Sequence, residues 1–422
     1  MNSIHSILSV DDCEKIIRRD NRITSDQRVQ ILKYDANRLP GHPGYLGEYA
    51  FIKIQFRTGS SAIKSKRYFA KSLPYHDAVL TKAIEEWGIF RKEADLYSIL
   101  YNRYARDSTK VTKWGPTCLL TQSNLIVMED LTISGFRTVP FRTSFNELHM
   151  KLVFDRLAQM HACSLHFEIK HLAGKSIGSL YNNVMLFETT FTPNSGWFVA
   201  GLKGIHTIAV QRNRHAKDPS QRLVIEKHLW GHLERIYSLV KCTNQFRSVI
   251  VHRDLWANNI MFKFAEKDHF TKPMDCVLVD FQLARYLPPA IDFMCALYLL
   301  TNRLQRDTST DSFIDHYYGA LQGKLTILGL DIDTILSREE FDQSLTHYRL
   351  VGLIWAGVLH GFVNFPPGVM DQLHENDPET YTRISMENRD DFILKYYDCD
   401  SYYRERMDDV VSEILEYLYD FS

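Results

Sequence analysis

Short runs of strand-forming residues dominate the first part of the chain. Glu48 to Phe56 and Arg67 to Leu73 read as strands joined by a turn through Thr58, Gly59 and Ser60. Gly41, Gly44 and Gly47 precede them and mark a glycine-rich turn opening the hairpin. The spacing then changes, with Phe90, Ala94, Tyr97 and Tyr101 recurring at helical intervals, so a helix is predicted from Phe90 to Tyr104. A short apolar run, Leu125 to Met128, follows before an acidic pair, and the first twenty or so residues read as a short amphipathic helix. Beyond Thr132 the texture is helical: Phe145 to Phe167, Leu223 to Lys241, Phe293 to Leu304, Tyr348 to Val363 and Tyr402 to Tyr419. Ser248 to Val251, Ile260 to Phe264 and Cys276 to Val279 interrupt it as short strands bracketing two polar loops. The polar stretch from His206 to Gln221 reads as a solvated connection. The pattern predicts an α+β chain of two lobes, strand-rich over 1–131 and mainly helical over 132–422.

Length agrees, because 422 residues exceed one ordinary core of about 100 to 200. With 45% apolar and 24% charged residues, the composition argues against long disorder and fibrous architecture. Fifty basic and fifty-one acidic side chains leave a formal charge of -1, with no overall footprint for nucleic acid or an anionic membrane. The cysteines at 13, 118, 163, 242, 276, 295 and 399 form no Cys-x-x-Cys pair, which fits a reducing compartment. The amino terminus has no secretory pattern, and the longest strongly apolar stretch, Leu350 to Leu359, is about half of what spans a bilayer. The expectation is a cytoplasmic monomer with a small-molecule partner and no membrane span.

The chemistry concentrates in VIVHRDLWANNIMFKF, Val249 to Phe264, and VLVDFQLARYL, Val277 to Leu287. A strand delivers His252 and Asp254 into a loop, Asn259 lies five residues beyond Asp254, and a strand pair delivers Asp280 to a turn. This order matches the catalytic and metal loops of the protein-kinase-like fold. Phosphoryl transfer from ATP needs oxygen ligands for Mg2+ beside a group that orients the acceptor hydroxyl, since positioning and charge neutralisation supply nearly all the catalysis. Asp254 is the candidate catalytic residue, and Asn259 and Asp280 are the candidate metal ligands. Lys71 ends a strand, and Glu93 shares a helix face with Phe90 and Tyr97, so the carboxylate can turn inward to pair with Lys71 against the phosphates of ATP. Gly41, Gly44 and Gly47 let the backbone approach those phosphates. Leu125 to Leu131 would form the hinge, with Met128, Glu129 and Leu131 at the adenine edge.

Each piece alone has a plainer reading. A Gly-x-x-Gly-x-x-Gly is commonly just a turn, a strand-end lysine commonly snorkels to water, and Glu93 could form an exposed ion pair on a rotated helix. His252 reads as structural, propping the loop. The ordered ensemble carries the assignment. A protein-directed kinase is disfavoured: Trp256 stands where such enzymes place a lysine, and after Asp280 come Pro288, Pro289 and Asp292 in place of an activation segment. Asp292 suits support of the catalytic loop by hydrogen bonds. A catalytically inactive protein that uses the cleft to bind a small molecule or a protein is the alternative from another class.

The blocks PGYLGEY, FAKSLP, FRKEADLY, VMEDL, LAQMHACSL, VHRDLWANNIMF and VDFQLARYLPPAID resemble, in type and order over nearly the whole chain, those of the ecdysteroid-kinase-like (CHK kinase-like) family. That family lies within the choline kinase and aminoglycoside phosphotransferase group. The resemblance implies ATP-dependent phosphorylation of a hydroxyl on an ecdysteroid or another small lipophilic compound, xenobiotics included. Arg253 departs from it, since the family usually has glycine there. Trp197, Phe198, Trp355, His360, Phe362 and Phe365 could line a pocket for a rigid apolar ligand, but such a stripe at helical spacing is more often core and stays outside the candidate site.

Overall fold

The computed structural model describes residues 4–39, 47–75, 77–107, 113–265 and 268–421. Gly41 and Gly44 lie outside them. Strands β1 (Val29–Arg38), β2 (Glu48–Thr58), β3 (Lys64–Ser72), β4 (Cys118–Thr121) and β5 (Leu125–Glu129) form a five-stranded antiparallel sheet in the order β1-β2-β3-β5-β4. Period-two alternation gives each central strand two faces. Ala50, Ile52, Ile54, Ala70 and Val127 point to one side, where they pack with Cys13, Ile16 and Ile17 of helix α1 (Val10–Asn21). Tyr49, Phe51, Phe69 and Lys71 point to the other, into a cleft. The predicted hairpin is therefore β2 and β3, and the predicted helix is Ile89–Asp95 continued by a π-turn, Leu96–Tyr101.

β1 has no counterpart in the expectation from sequence. It is an edge strand with only Val29 fully buried, and a bulge between Ile31 and Lys33 breaks the alternation of Val29, Ile31, Tyr34 and Ala36, which pack against the same apolar cluster as α1. The helical expectation from Phe293 to Leu304 also needs correction. One helix, Ala290–Leu300, stops at extended Thr301, and a second, Arg303–Ile327, starts from Asn302, whose side chain caps Gln305 in a reciprocal capping box. The stretch from His206 to Gln221 is not a solvated connection either. Helix Gly196–Gln211 takes up its first part, and Asn213 and His215 are buried. Asn213 Nδ2 donates to Ser412 Oγ at 2.9 Å, so the polar run joins the C-terminal helix Ser401–Tyr419.

The second part of the chain is mainly helical, with its core continuous from Leu157 on the long helix Glu147–His171 to Trp355 and Ile354 on Arg338–Val363. Two small strand systems are set into it. β7 (Val249–Val251) pairs with β10 (Arg285–Leu287), and β8 (Ile260–Phe264) pairs with β6 (Phe136–Thr138) and β9 (Pro273–Leu278). Their function is placement: β7 launches the loop bearing Asp254, Asn259 sits at the entrance to β8, and Asp280 follows β9. The chain is thus an α+β fold of two lobes, sheet-rich then helical, as expected. Among the described residues no helix is long and apolar enough to cross a membrane.

Candidate active site

Lys71 ends its inward-facing row on β3 beneath Glu93, whose helix is turned so that Ile89 and Glu93, one turn apart, both face the cleft. Lys71 Nζ meets Glu93 Oε2 at 2.6 Å, Asp280 Oδ1 at 3.0 Å and Gln282 Oε1 at 3.3 Å. Burial would drive the ammonium's proton off, but Asp280 and Glu93 outweigh it and hold the Lys71 pKa well above the ordinary lysine value. Glu93 is fixed from behind as well, because Phe281 N–H donates to its Oε1 at 3.1 Å. Helix, strand and the turn after β9 are therefore tied through one carboxylate.

The opposite wall is the loop that follows β7. Asn259 Nδ2 donates to Asp254 Oδ2 and to the Asp254 carbonyl, both at 2.9 Å. This commits the amide nitrogen and turns Asn259 Oδ1 into the group left to face a cation. Asp254 N–H donates to His252 Nδ1 at 3.2 Å, so His252 Nε2 carries the proton and donates to Val279 O at 3.0 Å. Burial lowers the His252 pKa, which keeps the ring neutral and structural, as expected. Asp292 braces the same loop: its Oδ2 accepts His252 N–H and its Oδ1 accepts Arg253 N–H, each at 2.7 Å. His161 Nε2 closes on Asp292 Oδ2 at 3.1 Å. Within these two loops Arg253, at φ 66, and Asp280, at φ 65, hold left-handed backbone, both beside groups that face the cleft.

Burial, then the charge of Asp280, push the Asp254 carboxyl up to about 7, while Asn259 and Lys71 pull it partly back. A carboxyl in that range titrates where a base for a hydroxyl is useful. The same repulsion between Asp254 and Asp280 marks a place where a cation is wanted. One carboxylate and one amide oxygen suit Mg2+, which takes few protein ligands and completes its shell with water and phosphate. Among the described residues no cluster of three or more His, Cys, Asp or Glu side chains forms a protein-only metal cage.

The cleft encloses about 800 Å³ and is continuous from the sheet to the helical lobe. At one end lie Met128, Glu129 and Leu131, the expected hinge positions. Glu129 N–H is taken by Thr117 O at 3.0 Å and its carboxylate accepts Thr117 N–H at 2.5 Å, which anchors the strand beside the hinge. Gly47 lies against the lysine: a Cβ there would come within 3.3 Å of Lys71 Cε. At the other end the expectation of a purely core stripe is overturned in part. Trp197, Trp355 and Phe362 line the cleft, whereas Phe198, His360 and Phe365 are buried away from it. Trp87 faces them from helix Ala78–Trp87, and His374 Nε2 reaches Asp77 Oδ2, the cap of that helix, at 3.3 Å from helix Val369–Asn376. Pairing on sequence alone missed Gln282, Phe281 N–H and Trp87. Gln282 was the most accessible of these, because it follows Asp280 in the quoted Asp-Phe-Gln block.

Sheet, inward lysine, paired glutamate and a two-loop acidic wall define a two-lobed kinase-like protein. More narrowly, the chain belongs to the ecdysteroid kinase-like family, whose profile matches residues 43–330. No curated protein sequence matches it. Among solved structures, an ethanolamine kinase of Plasmodium vivax is similar over 94% of this chain and 87% of its own, at 14% identity and a TM-score of 0.39. A spectinomycin phosphotransferase in complex with ADP and spectinomycin aligns over 92% of this chain and 94% of its own, at 14% identity and a TM-score of 0.39. A macrolide 2′-phosphotransferase of Brachybacterium faecium aligns over 84% and 92%, at 10% identity and a TM-score of 0.35.

Proposed function

We propose that this protein transfers the γ-phosphoryl group of ATP to a hydroxyl of a small, largely apolar molecule, of ecdysteroid or xenobiotic type. The observation that carries the reading is the convergence, in one cleft, of Asp254, Asn259 and Asp280 facing the Lys71 and Glu93 pair, with an aromatic wall beyond them. Family membership supports the class of reaction. Lys71 holds the phosphates with a charge that burial cannot remove. Leu131, at the start of a short 3-10 helix, offers an N–H of the kind that has no partner within its own turn, suited to an adenine edge. Asn259 Oδ1 and Asp280 are the residues that would hold Mg2+, which when bound neutralises phosphate charge. Asp254 accepts the proton of the acceptor hydroxyl and aims its oxygen, and Asn259 keeps the carboxylate in place.

The lobes divide after Leu131 in this reading, and a cytoplasmic location is supported by seven cysteines that are all free thiols. The test is incubation of the protein and Asp254→Asn with Mg·ATP and a panel of hydroxylated steroids, followed by mass spectrometry for gain of one phosphate. Transfer by the wild type and its collapse in the variant is the expected result. Equal turnover by both would remove Asp254 from its role. Thermal stabilisation by a panel member with no ATP consumed would favour the silent binding protein.

A further inference from the structure

Arg253 stands immediately before Asp254, at a backbone conformation that glycine adopts freely and side chains rarely do. Its side chain is completely buried. The guanidinium forms a fork on Glu188, Nη1 to Oε2 at 2.5 Å and Nη2 to Oε1 at 3.0 Å, and stacks 4.3 Å over the Phe191 ring. Glu188 is itself the anchor of the segment that follows it: Oε1 accepts the N–H groups of Thr189, Thr190 and Phe191 at 3.1, 3.0 and 3.0 Å. Arg285 Nη1 adds a second cation on Oε2 at 2.5 Å. Burial opposes the Glu188 charge, yet the two guanidiniums hold its carboxyl well below the usual range, so the anchor stays ionised.

The anchored residues matter because Thr189 and Thr190 line the cleft together with Asp254 and Trp197. The segment is tied on its other side too: Lys92 Nζ donates to Phe187 O at 3.0 Å from the helix that carries Glu93. A salt bridge that served stability alone would not require a strained arginine next to the catalytic carboxylate, since Arg285 already pairs with Glu188. From this geometry, and resting on the phosphotransferase reading above, we infer that Arg253 is a positioning residue: it fixes the acceptor wall at Thr189 and Thr190 opposite Asp254 and thereby sets affinity for the acceptor alcohol and not for the nucleotide.

Two variants of the full chain test this. Arg253→Gly relieves the backbone and removes the fork; Arg253→Lys keeps charge and one hydrogen bond. With Mg·ADP present, amide hydrogen exchange at residues 189–191 is expected to be about tenfold faster in Arg253→Gly and intermediate in Arg253→Lys, with the Mg·ADP Kd changed by less than about twofold. With ecdysone as the acceptor probe, KM for ecdysone rises about tenfold in Arg253→Gly and is largely restored in Arg253→Lys, while KM for ATP holds. Unchanged exchange at 189–191 overturns the inference. So does a fall in kcat with both KM values unchanged, which would make Arg253 only part of the charge around Asp254. Absence of any transfer to ecdysone by the wild type counts against the phosphotransferase reading with this probe, and the exchange experiment still decides the inference.

Discussion

A carboxyl that titrates near neutrality inside a fold leaves two marks that can be measured separately. In the unfolded chain Asp254 would titrate near 3.9. In the fold it is pushed up to about 7, so the native state holds an extra proton between those values. The Asp254 contribution therefore favours folding fully below about pH 4 and is lost as pH rises through about 7. Asp254→Asn, which cannot ionise, should raise Tm over the wild type in EDTA, by an amount that grows from about pH 4 to 7 and is level above it; thermal melts across pH check this. The same variant should lower kcat by about 10² to 10⁴. For the free wild-type protein, kcat/KM should climb with pH through about 7 as Asp254 becomes a base. These residues were readable because the chemistry restricts residue type at fixed spacing: Asp254, Asn259 and Asp280, like Lys71 and Glu93, fall where the chain pattern places them. Glu188 was not, since a glutamate in an irregular segment has no period and its partners, Arg253 and Arg285, lie far along the chain.

Helix and strand meet at Lys71, and here the balance of energies says what the pair is for. A buried ion pair returns little net stability, yet removing one member strands the other, at about 3 to 5 kcal/mol. Lys71→Met should accordingly lower stability by roughly that amount through Glu93 and Asp280, read by denaturant titration, besides abolishing activity. Glu93→Gln keeps shape and one hydrogen bond, and is expected to fold while losing about tenfold or more in kcat/KM for ATP. Gly47→Val, whose Cβ would press within 3.3 Å of Lys71 Cε, should raise KM for ATP severalfold and leave acceptor KM alone. At this scale central elements were legible and peripheral ones were not. β2 and β3 declare themselves by two-faced alternation, whereas a bulge interrupts the alternation of β1 at the edge, and the helix ending at Gln211 runs into Asn213 and His215, polar residues that look like loop yet are buried. The break at Thr301 was signalled by Asn302 and Gln305, a capping box within a run of helical spacing.

Across the whole molecule one cleft serves both halves of the proposed reaction, so ligands at either end should stabilise the fold by mass action. Mg·ADP at a hundred times its Kd is expected to add about 2.7 kcal/mol, and ADP with EDTA much less, which differential scanning calorimetry resolves. Trp355→Ala should weaken acceptor binding and leave nucleotide binding intact, since Trp355 lines only the far end of the cleft. The two-lobed plan was legible from the change of texture after Thr132. The aromatic wall was only half legible, because a helix face that lines a cavity and one that packs in a core share one period. Trp355, Leu359 and Phe362 fall on such a face.

The bond between Asp77 and His374 joins residues 297 positions apart. Every group proposed to hold the nucleotide has been synthesised once Asp280 is made, but the far wall waits for His374, Tyr381 and Met386. The proposed selectivity for the acceptor is thus completed later in synthesis than the phosphate-handling residues, and a message cut short between those points would encode a protein with its phosphate-handling residues and an unfinished choice of substrate.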